Sequence, residues 1–234
     1  MSPAGEGAKT IVIAIDGPAA SGKSSTAQWV ARRLSYRHVD SGALYRAITA
    51  AQLSRAGGHG DPEQWTEAEV LAQTSRIELV PADAAFDPLI DGGRAEDALR
   101  SADVTKNVSR VARMQGVRAW VNAQVRRAAA GHSVVVDGRD IGTAVFPDAD
   151  VKIFLVADPW ERARRRLVQS LERRPTDDEI AEETARIAHR DASDATQSTR
   201  ATDSVLIDTT YITQEEQVDR IVALAHAAEK AGRG

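Results

Sequence analysis

Thr10–Thr26 reads TIVIAIDGPAASGKSST, and the remaining architecture can be worked out from it. Five of the six residues Ile11, Val12, Ile13, Ala14, Ile15 and Asp16 are apolar. The run is too short for a typical helix and rich in β-branched side chains, which predicts a strand buried on both faces, as in a parallel sheet. It leads into Gly17-Pro18-Ala19-Ala20-Ser21-Gly22-Lys23-Ser24, which fits G-x-x-x-x-G-K-[ST] at every fixed position. Ala27, Val30, Ala31 and Leu34 then recur at i, i+3, i+4 and i+7, so a helix opening near Lys23 has an apolar face to dock on the sheet. Strand, glycine loop and amphipathic helix in that order predict a P-loop.

The chemistry of a triphosphate explains the spacing. Its oxygens need several donors at once, and a chain folded back at two glycines can aim successive N–H groups inward because no Cβ blocks the approach. The following helix adds the positive end of its dipole. Residues Gly17, Pro18, Ala19, Ala20, Ser21, Gly22, Lys23, Ser24 and Ser25 therefore form the expected ATP-binding loop. Within it, Lys23 is expected on the β and γ phosphates and the Ser24 hydroxyl on Mg2+.

A chain of 234 residues is long enough for one large α/β domain with small insertions. The net charge of −4 argues against a general nucleic-acid or membrane-surface binder. Twenty-five of the thirty basic residues are arginine, a bias that suits phosphate recognition but that a GC-rich genome also produces. There is no cysteine, so disulfides and thiolate metal sites are excluded, and the five histidines lack the paired spacing of a metal-binding helix. Residues 1–9 are expected to be a disordered tail without a signal-peptide pattern. A soluble, cytoplasmic, monomeric protein is the expectation.

Along the chain, Tyr36–Val39 is expected to be a short strand, followed by a helix from Ala43 to Arg55 with Asp40 and Ser41 as N-cap residues. Glu63–Gln73 has helical composition, whereas Arg76–Pro81 and Phe86–Asp91 predict two short strands, read as a small insertion. Asp103–Ala130 reads as helix broken at Gly116. Strands are expected at Ser133–Asp137, Val151–Ala157 and Ser204–Asp208, and a closing helix carries Val218, Ile221, Val222 and Ala225 on one face. The alternation predicts an α/β P-loop kinase core: a mostly parallel five-stranded sheet flanked by helices, with a small inserted acceptor-binding domain and a lid. In this single domain, 10–234, the core is 10–40, 131–160 and 195–234. The acceptor-binding region is 41–130, with the strand insertion near 75–100, and the lid is 161–194.

The arginines of the lid segment allow two readings. Arg162, Arg164, Arg165, Arg166, Arg173 and Arg174 could form a solvated face paired with Asp177, Asp178, Glu179, Glu182 and Glu183, or a mobile lid that brings cations onto phosphates. Loops at the carboxyl ends of parallel strands line one crevice, which should gather the P-loop, Asp40-Ser41 and Asp137–Asp140. Asp137 ends its strand as Asp16 does, where a carboxylate holds either a magnesium-bound water or a helix N-terminus. Arg46 and Arg139, near a crevice that already takes a triphosphate, suggest a second phosphate to be bound.

Three stretches carry a resemblance. GPAASGKSS, VDSGALYRA at Val39–Ala47 and VVVDGRDIGTAVFPDADVKIFL at Val134–Leu155 resemble bacterial cytidylate kinases, nucleoside monophosphate kinases that phosphorylate CMP and dCMP with ATP and Mg2+. The likeness runs from about Ile11 to the closing helix. It implies that Ser41 and Arg46 face the acceptor nucleotide, with Arg46 on its phosphate, and that Arg139 and Asp140 serve phosphate and cytosine. It implies that Ser109 and Arg118, within NVSRVARMQGVR, read the base. Arg190 and Asp194 of Arg190-Asp191-Ala192-Ser193-Asp194 are expected near the acceptor's sugar and phosphate. The set implied is Lys23, Arg46 and Arg139 for catalysis, Arg162 and Arg166 beside ATP, and Ser24 with Asp137, through water, for Mg2+. The chain departs from the pattern at Gln197, where the family usually has an arginine; either Arg200 in Ser198-Thr199-Arg200 does that work or the contact is lost. A guanine-nucleotide switch would need N-K-x-D and D-x-x-G strings, and neither occurs.

Overall fold

The computed structural model describes residues 10–55, 60–171, 173–195 and 198–231. The tail at 1–9, Gly57-Gly58-His59 and Gln197 lie outside the described residues. The chain begins with β1 (Val12–Asp16), α1 (Lys23–Leu34), β2 (Arg37–Asp40) and α2 (Ser41–Leu53). A 3-10 turn at Pro62–Gln64 leads to α3 (Glu67–Ala72). Then come β3 (Ile77–Pro81), β4 (Ala85–Ile90), β5 (Gly93–Arg94), α4 (Glu96–Arg100), α5 (Ala102–Val111) and α6 (Gln115–Ala129). After β6 (Val134–Gly138) a π-helical turn at Ile141–Val145 precedes β7 (Val151–Val156). The helices α7 (Pro159–Leu171) and α8 (Asp177–Asp194), the strand β8 (Val205–Asp208) and the helix α9 (Gln214–Ala231) complete the chain.

The five strands β2, β6, β1, β7 and β8 lie side by side in that order, each parallel to its neighbours. Alternate side chains explain why they read as continuous apolar runs. Ile13 and Ile15 of β1, with Val135 of β6, enter a core shared with Val30 and Ala31 of α1 and Val218 and Ile221 of α9. Ala14, Val134 and Val136 face the other way, into a core with Leu44 and Ile48 of α2 and Val117 and Val121 of α6. Each valine or isoleucine removed from water this way contributes about 1.5–3 kcal/mol. Both cores demand the same register, so a slip would unseat two layers at once.

The sheet is larger than the expected five strands. β4 pairs in parallel with β2 through His38↔Ala85 and Val39↔Phe86, and β3 and β5 flank β4 in antiparallel fashion. The patch read as an insertion thus extends the main sheet at its β2 edge, giving eight strands. The short pairing with β2 closes the edge that would otherwise expose unpaired backbone groups.

The expected break at Gly116 also moves. The chain leaves helix at 112–114, and Gly116 sits inside α6. Its N–H donates to the Glu67 carboxylate, and a Cβ there would lie 2.8 Å from Leu71 Cδ1. The glycine is therefore explained by the close approach of α3, not by a turn. Helices α7 and α8 form a hairpin with its own small core of Ala163, Ile180 and Ile187, against which Ala20 of the glycine loop packs. No helix among the described residues is long and apolar enough to cross a membrane.

Candidate active site

The loop between β1 and α1 is held open by backbone geometry. Gly17 has φ 151, and a Cβ there would press on Leu155 of β7, 3.2 Å from its carbonyl carbon and nearer still to its oxygen. Gly22 (φ 86) takes the left-handed conformation that turns the chain into α1. No side chain caps that helix and its first turn holds no acidic residue, so its leading N–H groups stay available to an anion. Lys23 Nζ folds back and donates to Pro18 O at 2.7 Å, and Ser25 Oγ donates to Gly22 O at 2.9 Å. Burial, then the neighbouring Arg139, pushes the Lys23 ammonium down to about 7. Asp137, Asp16 and Asp40 draw it back only in part.

Three strand ends meet beneath this loop. Ser24 Oγ donates to Asp137 Oδ2 at 2.6 Å, and Ser41 Oγ donates to Asp137 O at 2.8 Å. His38, reaching across from β2, lies with Nε2 2.6 Å from Asp137 Oδ1. Burial alone lowers the imidazole's pKa, but the Asp137 carboxylate, then Asp40 and Asp87, more than offset that and hold it above its ordinary value. Asp16, the other strand-end carboxylate, has a different occupation: it accepts the N–H groups of Ile141 and Gly142, each at 2.8 Å, and so anchors the π-helical turn. Burial still pushes it up to about 6. Asp40 caps α2 through Ala43 N at 3.0 Å.

Beside the loop stands a ring of guanidinium groups. Arg139 donates to Gly17 O at 3.3 Å and to Asp194 Oδ2 at 2.8 Å. Arg46 donates to Leu99 O at 3.2 Å and Thr105 Oγ1 at 3.3 Å. Arg190 sits 3.8 Å from Asp194, and its buried Nε makes no hydrogen bond among the described residues. Burial, then Arg139 and Arg46, lowers Arg190 to about 10, and burial also lowers Arg46, with Arg166, Arg100 and Arg139 adding to it. Burial is the first cause in both and neighbouring guanidinium groups add to it, so the cluster concentrates positive charge that an anion would stabilise.

The remaining expected acceptor residues split into two places. Arg118 pairs with Asp140 through Nη2 and Oδ2, while its Nη1 donates to Ala112 O at 3.2 Å. Burial raises the Asp140 pKa, and Arg118 draws it back only in part. Ser109 lines a cleft of about 550 Å³ together with Thr105, Arg110, Arg190 and Ser193.

In the α7–α8 hairpin, most of the arginines pair with carboxylates, as the salt-bridged reading expects. Arg164 and Arg165 bind Glu161, and Arg173 binds Glu179, as a salt-bridged surface would. Arg166 pairs with Glu183 at 3.1 Å. Arg162 is different: only 5% exposed, it donates to Ala19 O at 2.8 Å and to Asp191 Oδ2 at 2.7 Å, while Asp191 Oδ1 accepts from Ala19 N at 3.1 Å. One carboxylate and one guanidinium thus clamp the same residue of the glycine loop. Arg200 is engaged with its own loop, donating to Ser204 Oγ at 3.1 Å and Ser204 O at 3.0 Å. Sequence reasoning missed His38 and Asp191. The latter was legible as the aspartate beside Arg190, but nothing local says that it reaches the glycine loop.

Comparison with known proteins extends this geometry along the chain. The cytidylate kinase of Geobacillus kaustophilus is 44% identical over 223 residues, covering 93% of this chain and 97% of that one. The cytidylate kinase of Limosilactobacillus fermentum is 41% identical over 217 residues, covering 91% and 94%. The crystal structure of an uncharacterized protein from Eubacterium ventriosum aligns with a TM-score of 0.53 at 12% identity, covering 93% and 99%, a likeness of fold alone. A model of the family described as cytidylate kinase matches residues 13–227, from β1 through the glycine loop, the strand-end carboxylates and the α7–α8 hairpin into α9, and by that match the chain belongs to the cytidylate kinase family.

Proposed function

We propose that this protein transfers the γ-phosphoryl group of ATP to the 5′ phosphate of CMP and dCMP, with Mg2+ on the nucleotide. The observation that carries the reading is the uncapped N-terminus of α1 together with Arg139, which donates to Gly17 O in the same loop, and with Arg46 and Arg190, two cations that burial depresses. The bond from γ-phosphorus to the bridging oxygen of ADP breaks as a bond to an oxygen of the acceptor phosphate forms. That acceptor is already an anion, so no strong general base is required, and catalysis rests on positioning and on cancelling charge. Lys23 neutralises the donor, Arg46 and Arg190 the acceptor, and Arg139 stands between them. The lid helices, with Arg162 and Arg166, exclude water that would otherwise take the phosphoryl group.

The donor set fits magnesium: the Ser24 hydroxyl and the Asp137 carboxylate, 2.6 Å apart, are hard oxygen ligands of the kind this ion takes beside substrate phosphates. When bound, the ion would neutralise charge on the β and γ oxygens. A monomer working in the cytoplasm is part of this proposal.

Cytosine specificity is assigned to Asp140, Arg118 and Ser109. Cytosine offers an N4 amino donor where uracil offers an acceptor, so a carboxylate distinguishes them by polarity. Asp140→Asn is expected to lower kcat/KM for CMP roughly 100-fold and to raise the UMP to CMP ratio at least about tenfold, since an amide can donate to O4. Coupled assays with both monophosphates read the ratio; an unchanged ratio would remove Asp140 from base recognition.

A further inference from the structure

His38 is a buried ionisable side chain at the strand ends for which phosphoryl transfer has no direct use. Its position follows from the sheet. In the β2–β6 register His38 lies opposite Val135 and Asp40 opposite Asp137, so His38 and Asp137 stand on one face as diagonal neighbours. A side chain of imidazole length bridges that diagonal, and an aliphatic one does not. The resulting contact is 2.6 Å, between groups 4% and 2% exposed. A carboxylate only accepts, so the imidazole Nε2–H donates to Asp137 Oδ1, while Asp137 Oδ2 accepts from Ser24 Oγ.

The two carboxylate oxygens are thereby given separate tasks. The terminal torsion of an aspartate is broad and nearly two-fold, so an unheld Asp137 could rotate either oxygen, or neither, toward Ser24. With Oδ1 tied to β2, Oδ2 has one direction left. We propose that His38 is a positioning residue that fixes the Asp137 carboxylate for the magnesium ion carried by ATP. The inference rests on the assignment of Asp137 to the water shell of that ion. It concerns orientation only: partners that orient a metal-facing group typically alter metal affinity about 10–100-fold when removed.

The test compares two side chains that differ in reach. The glutamine amide nitrogen stands close to where the imidazole Nε2 stands, whereas that of asparagine falls short. Mn2+ binding to the full-length protein with a non-hydrolysable ATP analogue is followed by electron paramagnetic resonance, and nucleotide stoichiometry in the same titration counts the folded sites. His38→Asn is expected to weaken Mn2+ binding about tenfold and His38→Gln to stay within about threefold of the parent. Metal-free nucleotide affinity should change less than about twofold in both, because neither variant touches the loop's N–H groups. Asp137→Asn is the control. If Asp137→Asn weakens Mn2+ and His38→Asn does not, the role of His38 is wrong and that of Asp137 stands. If Asp137→Asn leaves Mn2+ affinity unchanged, the assignment of Asp137 fails first. Equal damage from Asn and Gln would make the contact a packing feature and overturn the proposal.

Discussion

Replacing Lys23 with alanine is expected to lower kcat by about three orders of magnitude at saturating ATP and CMP, or about 4 kcal/mol of transition-state stabilisation. The ammonium is the only lysine in the glycine loop, and its present partner, Pro18 O at 2.7 Å, is a neutral carbonyl that a phosphate oxygen would outcompete. Burial and Arg139 already hold it down to about 7, so its charge is fully favoured only with negative charge nearby. Arg46 and Arg190 do not replace it, because both are held elsewhere, Arg46 by Leu99 O and Thr105 and Arg190 beside Asp194. A coupled assay of ADP formation measures the loss; a fall of less than about tenfold would refute the role, since one misplaced donor costs more than that.

Arg139→Ala is expected to reduce kcat/KM for CMP by roughly two to three orders of magnitude while shifting the dissociation constant for ATP less than about threefold. The side chain holds two parts of the site at once, the loop through Gly17 O at 3.3 Å and the lid helix α8 through Asp194 at 2.8 Å. Its loss removes the cation proposed to stand between donor and acceptor and leaves Asp194, nearly buried, with Arg190 at 3.8 Å as its partner. Arg139→Lys should recover only part of the activity, because a point charge cannot reach both partners as a planar fork does. Calorimetry for ATP beside steady-state kinetics for CMP separates the two terms. A loss shared equally by ATP binding would move Arg139 from the transfer step to the donor site.

How much of this was legible depended on how far apart the deciding partners lie. β1, the glycine loop and α1 were readable because strand, turn and helix signals are local and consecutive, and the alternating burial of Ile13, Ala14 and Ile15 follows from a sheet covered on both faces. The cap at Asp40 is local too. The attachment of β4 to β2 was not readable: an edge pairing of two residues leaves no periodicity to detect. Gly116 read as a break because glycine ends helices more often than it admits a neighbouring helix, and Glu67 and Leu71, which need the space, are far away in sequence. The lid arginines could not be sorted by composition, since whether a guanidinium finds Glu161 or Ala19 is set by which helix face the fold buries. His38 looked like any strand histidine, its carboxylate partner being 99 residues away.

The central claim, that a loop built for ATP faces a site built for a cytosine monophosphate, is tested most directly by the initial rate of ADP formation with CMP, dCMP, UMP and AMP as acceptors at equal concentration. The proposed assignment of Asp140, Arg118 and Ser109 to the base predicts that kcat/KM for CMP and dCMP exceeds that for UMP and AMP by about 100-fold or more. A preference for UMP or AMP over CMP would contradict it.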